Sequence, residues 1–367
     1  MPSAIKEEGV SILAPKGVFY NPQMELCRSM FSLFVGAIGR DVSVLDAMCA
    51  SGVRGLRYKK ENKNVISLAL LDISRRAAEY AKKNARANKV KCLVENADVA
   101  EFLLANEFDF IELDPFGTPV PYLHDAARSF RTKKNGYVSV TATDMAVLCG
   151  AHRAACLKNY GAAPLNNEFC HENAARILVG KAVLAFAQFN LAAEPMLTLS
   201  HRHYVKIGFG LSQSAQKAVE AVKTLGFVSY CQKCCWRAGR RIPLAGSCPE
   251  CGNALVFAGP MHLGGLWDVA TLRQMLELNA QRDYGKKKEI GKLLETMLAE
   301  SQVDSLGYYD LHVLAKKMGH PIKRIGGALS DLRSSGFHAE RTHFSPTAIR
   351  TDATHKAVIE AAKSDNG

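Results

Sequence analysis

From residue 41 to residue 144, short apolar runs alternate with longer amphipathic stretches. Val42–Asp46, Ile66–Asp72, Val90–Glu95, Phe108–Leu113 and Tyr137–Thr143 each have the length and composition of one buried strand. Between the second and third, Ile73–Asn88 places Ala77, Tyr80, Ala81 and Asn84 at helical spacing. Strands separated by helices of this length predict right-handed crossovers and a parallel sheet covered on both faces. The Ala-rich stretch from Ala146 to Asn190 predicts helix, and Glu194–Ser200 with His203–Gly210 predicts a late antiparallel pair. The expected fold class is thus α/β and Rossmann-like, with about seven strands. A helix (Ser214–Leu225), a Cys-rich segment and a basic helical region follow.

With 48% hydrophobic residues in 367, the chain has material for a sizeable core, and disorder as the dominant state is excluded. No uncharged apolar run approaches the roughly 18 to 20 residues that a membrane span needs. The stretch Met1 to Pro15 is polar and unlike a secretory signal, so the expectation is a cytoplasmic protein with no membrane partner and no obligate protein partner. Lys and Arg number 47 against 35 Asp and Glu, a net charge of +12. Between Ser51 and Lys91 twelve basic residues face three acids, which predicts a surface that meets a polyanion.

The strand ends carry the first candidate chemistry. Asp46, Asp72, Asp98 and Asp114 fall at the ends of the first four strands, where an open parallel sheet binds its ligands. The turn from Asp46 to Gly55 is built of small residues that let a ligand approach the backbone, yet it is not G-x-G-x-x-G. Asp72 sits where a ribose-binding acid belongs, and Asp98 is placed to accept from an adenine amino group. This pattern favours S-adenosyl-L-methionine over a dinucleotide. The plain alternative for each acid is a helix N-cap.

The second constellation is Asp114-Pro115-Phe116-Gly117. An exocyclic amine on a base is a poor nucleophile because its lone pair is conjugated with the ring. Methylating it calls for acceptors that hold its hydrogens, a role for Asp114 and the carbonyl next to Pro115, with Phe116 as a stacking platform.

Val18-Phe-Tyr-Asn-Pro22, the segment Asp46 to Gly55, Asp114-Pro-Phe-Gly117, Thr141-Ala-Thr-Asp144, Cys149-Gly-Ala-His152 and Arg341-Thr-His-Phe-Ser-Pro346 span nearly the whole chain. Together they resemble the tRNA (guanine-26-N2)-dimethyltransferases of the archaeal branch. The resemblance implies a class I methyltransferase domain with a C-terminal RNA-binding domain. It also implies transfer of one or two methyl groups from S-adenosyl-L-methionine to N2 of guanosine 26 in tRNA. Asp114 would be the catalytic acceptor, Phe116 a stacking ring and Phe19 a second aromatic at the target. Arg28, Arg54, Asp72, Asp98 and Val99 match cofactor-binding positions, and either arginine would pair with the cofactor's methionine carboxylate. The residues by themselves also allow an amine methyltransferase acting on another RNA, on DNA or on a protein, or a tRNA-binding protein without catalysis.

Cys231-x2-Cys234 and Cys248-x2-Cys251, thirteen residues apart, match the spacing of a structural zinc site, with Cys235 as a spare. Lys233, Arg237, Arg240 and Arg241 between the knuckles are expected on a basic loop. Six other cysteines, Cys149 and Cys170 among them, read as isolated small hydrophobes. Leu306–Gly336 reads as helix-turn-helix, turning at Gly319-His-Pro321, and Phe337–Arg350 reads as a wing. Lys323, Arg324, Arg333, Arg341, Arg350 and His343 are expected to face RNA. The expected organisation is a methyltransferase domain at 1–225, a four-Cys zinc-ribbon-like segment at 226–260, and a smaller α+β tRNA-binding domain at 261–367, winged-helix-like in part.

Overall fold

The computed structural model describes residues 4–130, 132–319 and 321–364; His320, in the expected turn, lies outside them. A hairpin of β1 (Ile5–Glu7) and β2 (Val10–Ile12) precedes α1 (Glu25–Gly36). The alternating region follows as β3 (Val42–Asp46), α2 (Val53–Glu61), β4 (Val65–Leu71), α3 (Arg75–Ala87), β5 (Leu93–Glu95), α4 (Val99–Ala105), β6 (Phe110–Leu113), α5 (Val120–Ser129) and β7 (Asn135–Ala142). The Ala-rich stretch breaks into α6 (Met145–Leu148), α7 (Arg153–Tyr160) and α8 (Cys170–Ala187). The long hairpin β8 (Leu191–His201) and β9 (Tyr204–Gln213) completes the sheet, and α9 (Ala215–Lys223) follows.

Seven strands stand in the order β5-β4-β3-β6-β7-β9-β8. The first five run parallel, and β9 is antiparallel to both neighbours. Two-residue alternation sorts the side chains of each strand between two cores. Val44, Leu68, Leu70 and Phe110 point into a core shared with α1, α2 and α3. Leu45, Leu71, Ile111 and Leu113 point into the other, with α4, α5 and α8. The strand order reverses at β3, so β4 and β6 leave a crevice beyond its carboxyl end. Close packing of α2 on the sheet depends on Gly55, where a Cβ would lie 2.5 Å from Leu70 Cδ2.

The rest of the chain is built onto this body. β10 (Leu225–Cys231), β11 (Arg237–Arg240) and β12 (Leu255–His262) form a three-stranded antiparallel sheet around the cysteine knuckles. Helices α10 (Val269–Gln281) and α11 (Lys287–Glu300) then return to the α1 side of the large sheet, where Leu272, Met275, Ile290 and Leu294 close that core. The final module has β13 (Tyr309–Asp310), α12 (Leu311–Met318), α13 (Ile325–Ser334), β14 (Ala339–Arg341), β15 (Ala348–Thr351) and α14 (His355–Ala362). Its core is continuous with that of α8. Among the described residues, no helix is long and apolar enough to cross a membrane.

Candidate active site

A cavity of about 440 Å3 opens over the ends of β3, β4 and β6. All eight residues expected at the site line it: Phe19, Arg28, Arg54, Asp72, Asp98, Val99, Asp114 and Phe116. So do Asp46, Met48, Ile73, Tyr122 and Thr143. The volume suits a ligand of nucleoside-cofactor size.

On one side the backbone and two carboxylates are arranged for a nucleoside. The first turn after β3 holds Ala50 at φ +47°, a left-handed conformation that costs an alanine roughly a kcal/mol. The strained residue donates its N–H to Asp72 Oδ2 at 2.8 Å, and Ser74 N donates to Asp72 Oδ1 at 2.8 Å. These bonds fix the Asp72 carboxylate at the cavity rim. Asp98 caps α4, with Oδ1 accepting from Ala100 N at 2.8 Å and Glu101 N at 3.4 Å. The N-cap role is therefore real, and it holds the same side chain at the cavity wall. Ile73, 74% exposed, adds an apolar surface between the two acids on which a flat ring can lie.

The other side is a chain of buried charges. Arg54, from α2, ion-pairs with Asp114 Oδ2 and stands 4.0 Å from Glu112 Oε1. Glu112 in turn pairs with Lys206 on β9 and accepts from Tyr58 Oη and Ser139 Oγ, each at 2.7 Å. Lys206 also donates to Thr141 Oγ1 at 2.8 Å. Burial works against the Asp114 charge, but the Arg54 and Lys206 cations outweigh it and hold its pKa down at about 2. Asp46 goes the other way. Burial and the Glu112 carboxylate push it up to about 7, against the pull of Arg54 and the Gly55 N–H that it accepts at 3.0 Å.

Arg28 is held by an acid that sequence reading missed. Its guanidinium forks onto Glu7 of β1, with Nε to Oε1 at 2.6 Å, and donates to Asn21 O at 3.0 Å. Arg57, fully buried, and Tyr20 Oη converge on the same carboxylate, both at 2.9 Å. Burial opposes the Glu7 charge, and the arginines overcome it and keep its pKa below the usual range. The cluster anchors the segment that carries Phe19. Phe19 meets Phe116 edge-to-face, ring centroids 4.8 Å apart, and the rings are 51% and 78% exposed. Two bare aromatic rings at a cavity mouth offer stacking surface. The turn that bears Phe116 is pinned by Gly117 N to Thr143 Oγ1 at 2.7 Å and Thr143 N to Gly117 O at 2.9 Å, with Gly117 at φ +76°.

Away from the cavity, Cys231, Cys234, Cys248 and Cys251 bring their sulfurs within 4.8 Å of one another, with Cys235 outside the group. Four thiols in that space fit a closed tetrahedral metal. Several cations expected on the RNA face lie elsewhere. Arg237 is buried against Glu168 at 2.7 Å and the Tyr308 carbonyl. Arg350 is buried between Glu172 at 2.5 Å and Glu300 at 3.2 Å. His343 is packed inside, bonded to Glu300 at 2.5 Å and to Ser200 N at 3.2 Å. Arg350 and His343 hold the C-terminal module to α8, α11 and β8, Arg237 ties β11 to it through Tyr308, and none of the three side chains faces solvent. Lys233, Arg240, Arg241 and the α3 cations Arg75, Arg76, Lys82, Lys83 and Arg86 are exposed.

An open sheet in this strand order, with a cavity at the reversal point and four acids turned to it, defines a class I methyltransferase fold. The chain belongs to the N2,N2-dimethylguanosine tRNA methyltransferase family, whose profile matches residues 2–363. A Thermococcus kodakarensis protein named tRNA (guanine(26)-N(2))-dimethyltransferase is 36% identical, with 98% of each chain covered. One from Methanobrevibacter smithii with the same name is 34% identical, over 94% of this chain and 91% of its own. The solved structure of Trm1 from Pyrococcus horikoshii in complex with S-adenosyl-L-methionine superposes with a TM-score of 0.90 at 33% identity, covering 99% of this chain and all of that one.

Proposed function

We propose that this chain transfers one or two methyl groups from S-adenosyl-L-methionine to the exocyclic N2 of guanosine 26 in tRNA. The observation that carries the reading is Asp114, kept ionised by Arg54 directly beside the exposed Phe19–Phe116 pair. A base drawn out of the tRNA stacks on these rings, and Asp114 accepts from its amino group so that the nitrogen lone pair turns inward. Asp72 takes the ribose hydroxyls, Asp98 and Val99 the adenine edge, and Arg28 and Arg54 supply positive charge for a carboxylate. When bound, the cofactor supplies an electrophilic methyl group. The amine proton displaced by each methyl passes to Asp114 or on to solvent.

The four cysteines of the second sheet hold a structural zinc in this reading, which braces the loop carrying Lys233, Arg240 and Arg241. Its closed set of four thiolates leaves no position for chemistry. In this reading the protein works in the cytoplasm, where a tRNA substrate is found. Incubating the protein with an unmodified tRNA transcript and methyl-labelled cofactor tests the function. Digestion should yield labelled N2-methyl- and N2,N2-dimethylguanosine from position 26. Label in a protein, in DNA or in another nucleoside would replace this reading with one of the broader amine methyltransferase activities.

A further inference from the structure

We propose that Cys149, Cys170 and His171 form a second metal site, for a divalent cation of the zinc type, bound through two thiolates and one imidazole. The residues come from two elements. Cys149 ends α6, and Cys170 and His171 are the first two residues of α8. The fold brings one donor atom of each within 4.8 Å of the other two. Donors of a tetrahedral zinc stand roughly 3.5 to 3.8 Å apart, given bonds of about 2.3 Å to sulfur and about 2.1 Å to nitrogen. Small side-chain rotations close that difference, because all three residues are only half-buried.

The local backbone holds the donors together, and the Cys149 thiol donates to the Cys170 carbonyl at 3.6 Å, a bond that a metal would replace. Cys170 opens an 18-residue helix whose N-cap, Phe169, supplies no side-chain acceptor. The N–H groups of Cys170, Glu172 and Asn173 bond to the carbonyls of Asn167 and Phe169, and the dipole of the long helix favours a thiolate at its start. Cys149 is held opposite by a tight reversal at Gly150, φ +101°, where a Cβ would lie 2.8 Å from Asn166 N. By contrast Cys27 and Cys156, also outside the ribbon, are buried and belong to no such group.

Three protein donors leave one tetrahedral position open, unlike the closed four-cysteine set of the ribbon. The chemistry at that position would be water or a small exogenous ligand. The site's place in the fold gives it a second effect. Thr143, which pins the Asp114–Gly117 turn, stands two residues before α6, and Asp144 between them accepts from Tyr160 Oη at 2.7 Å. A metal joining Cys149 to α8 therefore fixes the strand-to-helix link behind the wall of the catalytic cavity.

Native mass spectrometry of the full chain tests this, after equilibration with zinc under reducing conditions and removal of loosely held ions. The wild type should carry two zinc ions, and Cys170→Ser should carry one. His171→Gln, which keeps both thiols and the fold, should hold its second zinc at least tenfold more weakly. Cys248→Ser removes the ribbon ion and should leave this one, so the two sites fail separately. Equal zinc content in wild type, Cys170→Ser and His171→Gln would overturn the proposal. So would peptide mapping of the reduced preparation that found Cys149 disulfide-bonded to Cys170.

Discussion

Arg54 and Asp114 form an ion pair at the edge of the catalytic cavity, sixty residues apart in sequence, with side chains 7% and 20% exposed. The pair gives Arg54 a role that its match to a cofactor-binding position does not convey. It keeps the Asp114 carboxylate charged while that carboxylate is largely withdrawn from water.

A pH profile tests that role. With its pKa near 2, Asp114 stays ionised across the working range, so the wild-type rate should show no acid limb from this group between about pH 4 and 6. Arg54→Met removes the main opposing charge and lets burial raise the carboxyl. The variant should acquire such a limb and lose roughly 10- to 100-fold in kcat/KM at pH 7. A profile identical to wild type apart from scale would assign Arg54 elsewhere.

Asp46 makes an opposite prediction about stability. Its folded pKa, near 7, lies above the unfolded value, so the folded state binds more protons between about pH 4 and 7. The contribution is fully present at low pH and is lost as pH rises through 7. Asp46→Asn keeps an acceptor for the Gly55 N–H and removes the charge. It should flatten this part of the pH–stability curve and leave the variant more stable than wild type at pH 8, by on the order of 2 kcal/mol. Denaturant titrations of both proteins at pH 5 and pH 8 give the comparison.

These two residues show where the sequence was readable. Acids at strand ends follow from the alternation of apolar runs, which is local, so the pattern alone puts Asp46, Asp72, Asp98 and Asp114 at one crevice. What sets their charge is not local. Glu7 sits in an N-terminal hairpin with no motif, and Lys206 lies in a strand that reads as a sheet edge, yet both are buried beside the site. A lone lysine inside an otherwise apolar strand was the available signal for Lys206. The same limit explains the basic residues. Arg57, Arg237 and Arg350 count as positive charge in a linear scan, but each meets an acid from a distant element and turns inward. Cys149 and Cys170 looked isolated because twenty intervening residues fold back between them. The helices at 269–300, read as part of a separate C-terminal domain, carry apolar faces whose partner is α1.

The buried triad of Glu172, Arg350 and Glu300 should carry the attachment of the C-terminal module. Arg350→Met removes the cation between the two carboxylates, leaving Glu172 with Arg176 and Glu300 with His343, and should cost roughly 1–3 kcal/mol. Combining it with Glu172→Gln should cost less than the sum of the two single variants, since both remove the same ion pair. A double-mutant cycle in thermal or chemical unfolding measures the coupling.

Exposed cations near the cavity mouth should govern tRNA affinity. Arg75 and Arg76 at the start of α3 follow Asp72 by three and four residues and are open to solvent. The double variant Arg75→Ala/Arg76→Ala should weaken tRNA binding and reduce the slope of log affinity against log salt by about 1 to 2. Arg237→Met, by contrast, should lower stability and leave that slope unchanged.

The most direct test of the account is the single-turnover rate of methyl transfer by Asp114→Ala on unmodified tRNA, with tRNA affinity measured on the same preparation. Removing the acceptor should slow the chemical step at least about 100-fold. Affinity should stay within a few-fold of wild type, because the phosphate contacts lie elsewhere. A variant that kept more than a few per cent of the rate, or that lost tRNA binding in step with activity, would contradict the role assigned to Asp114.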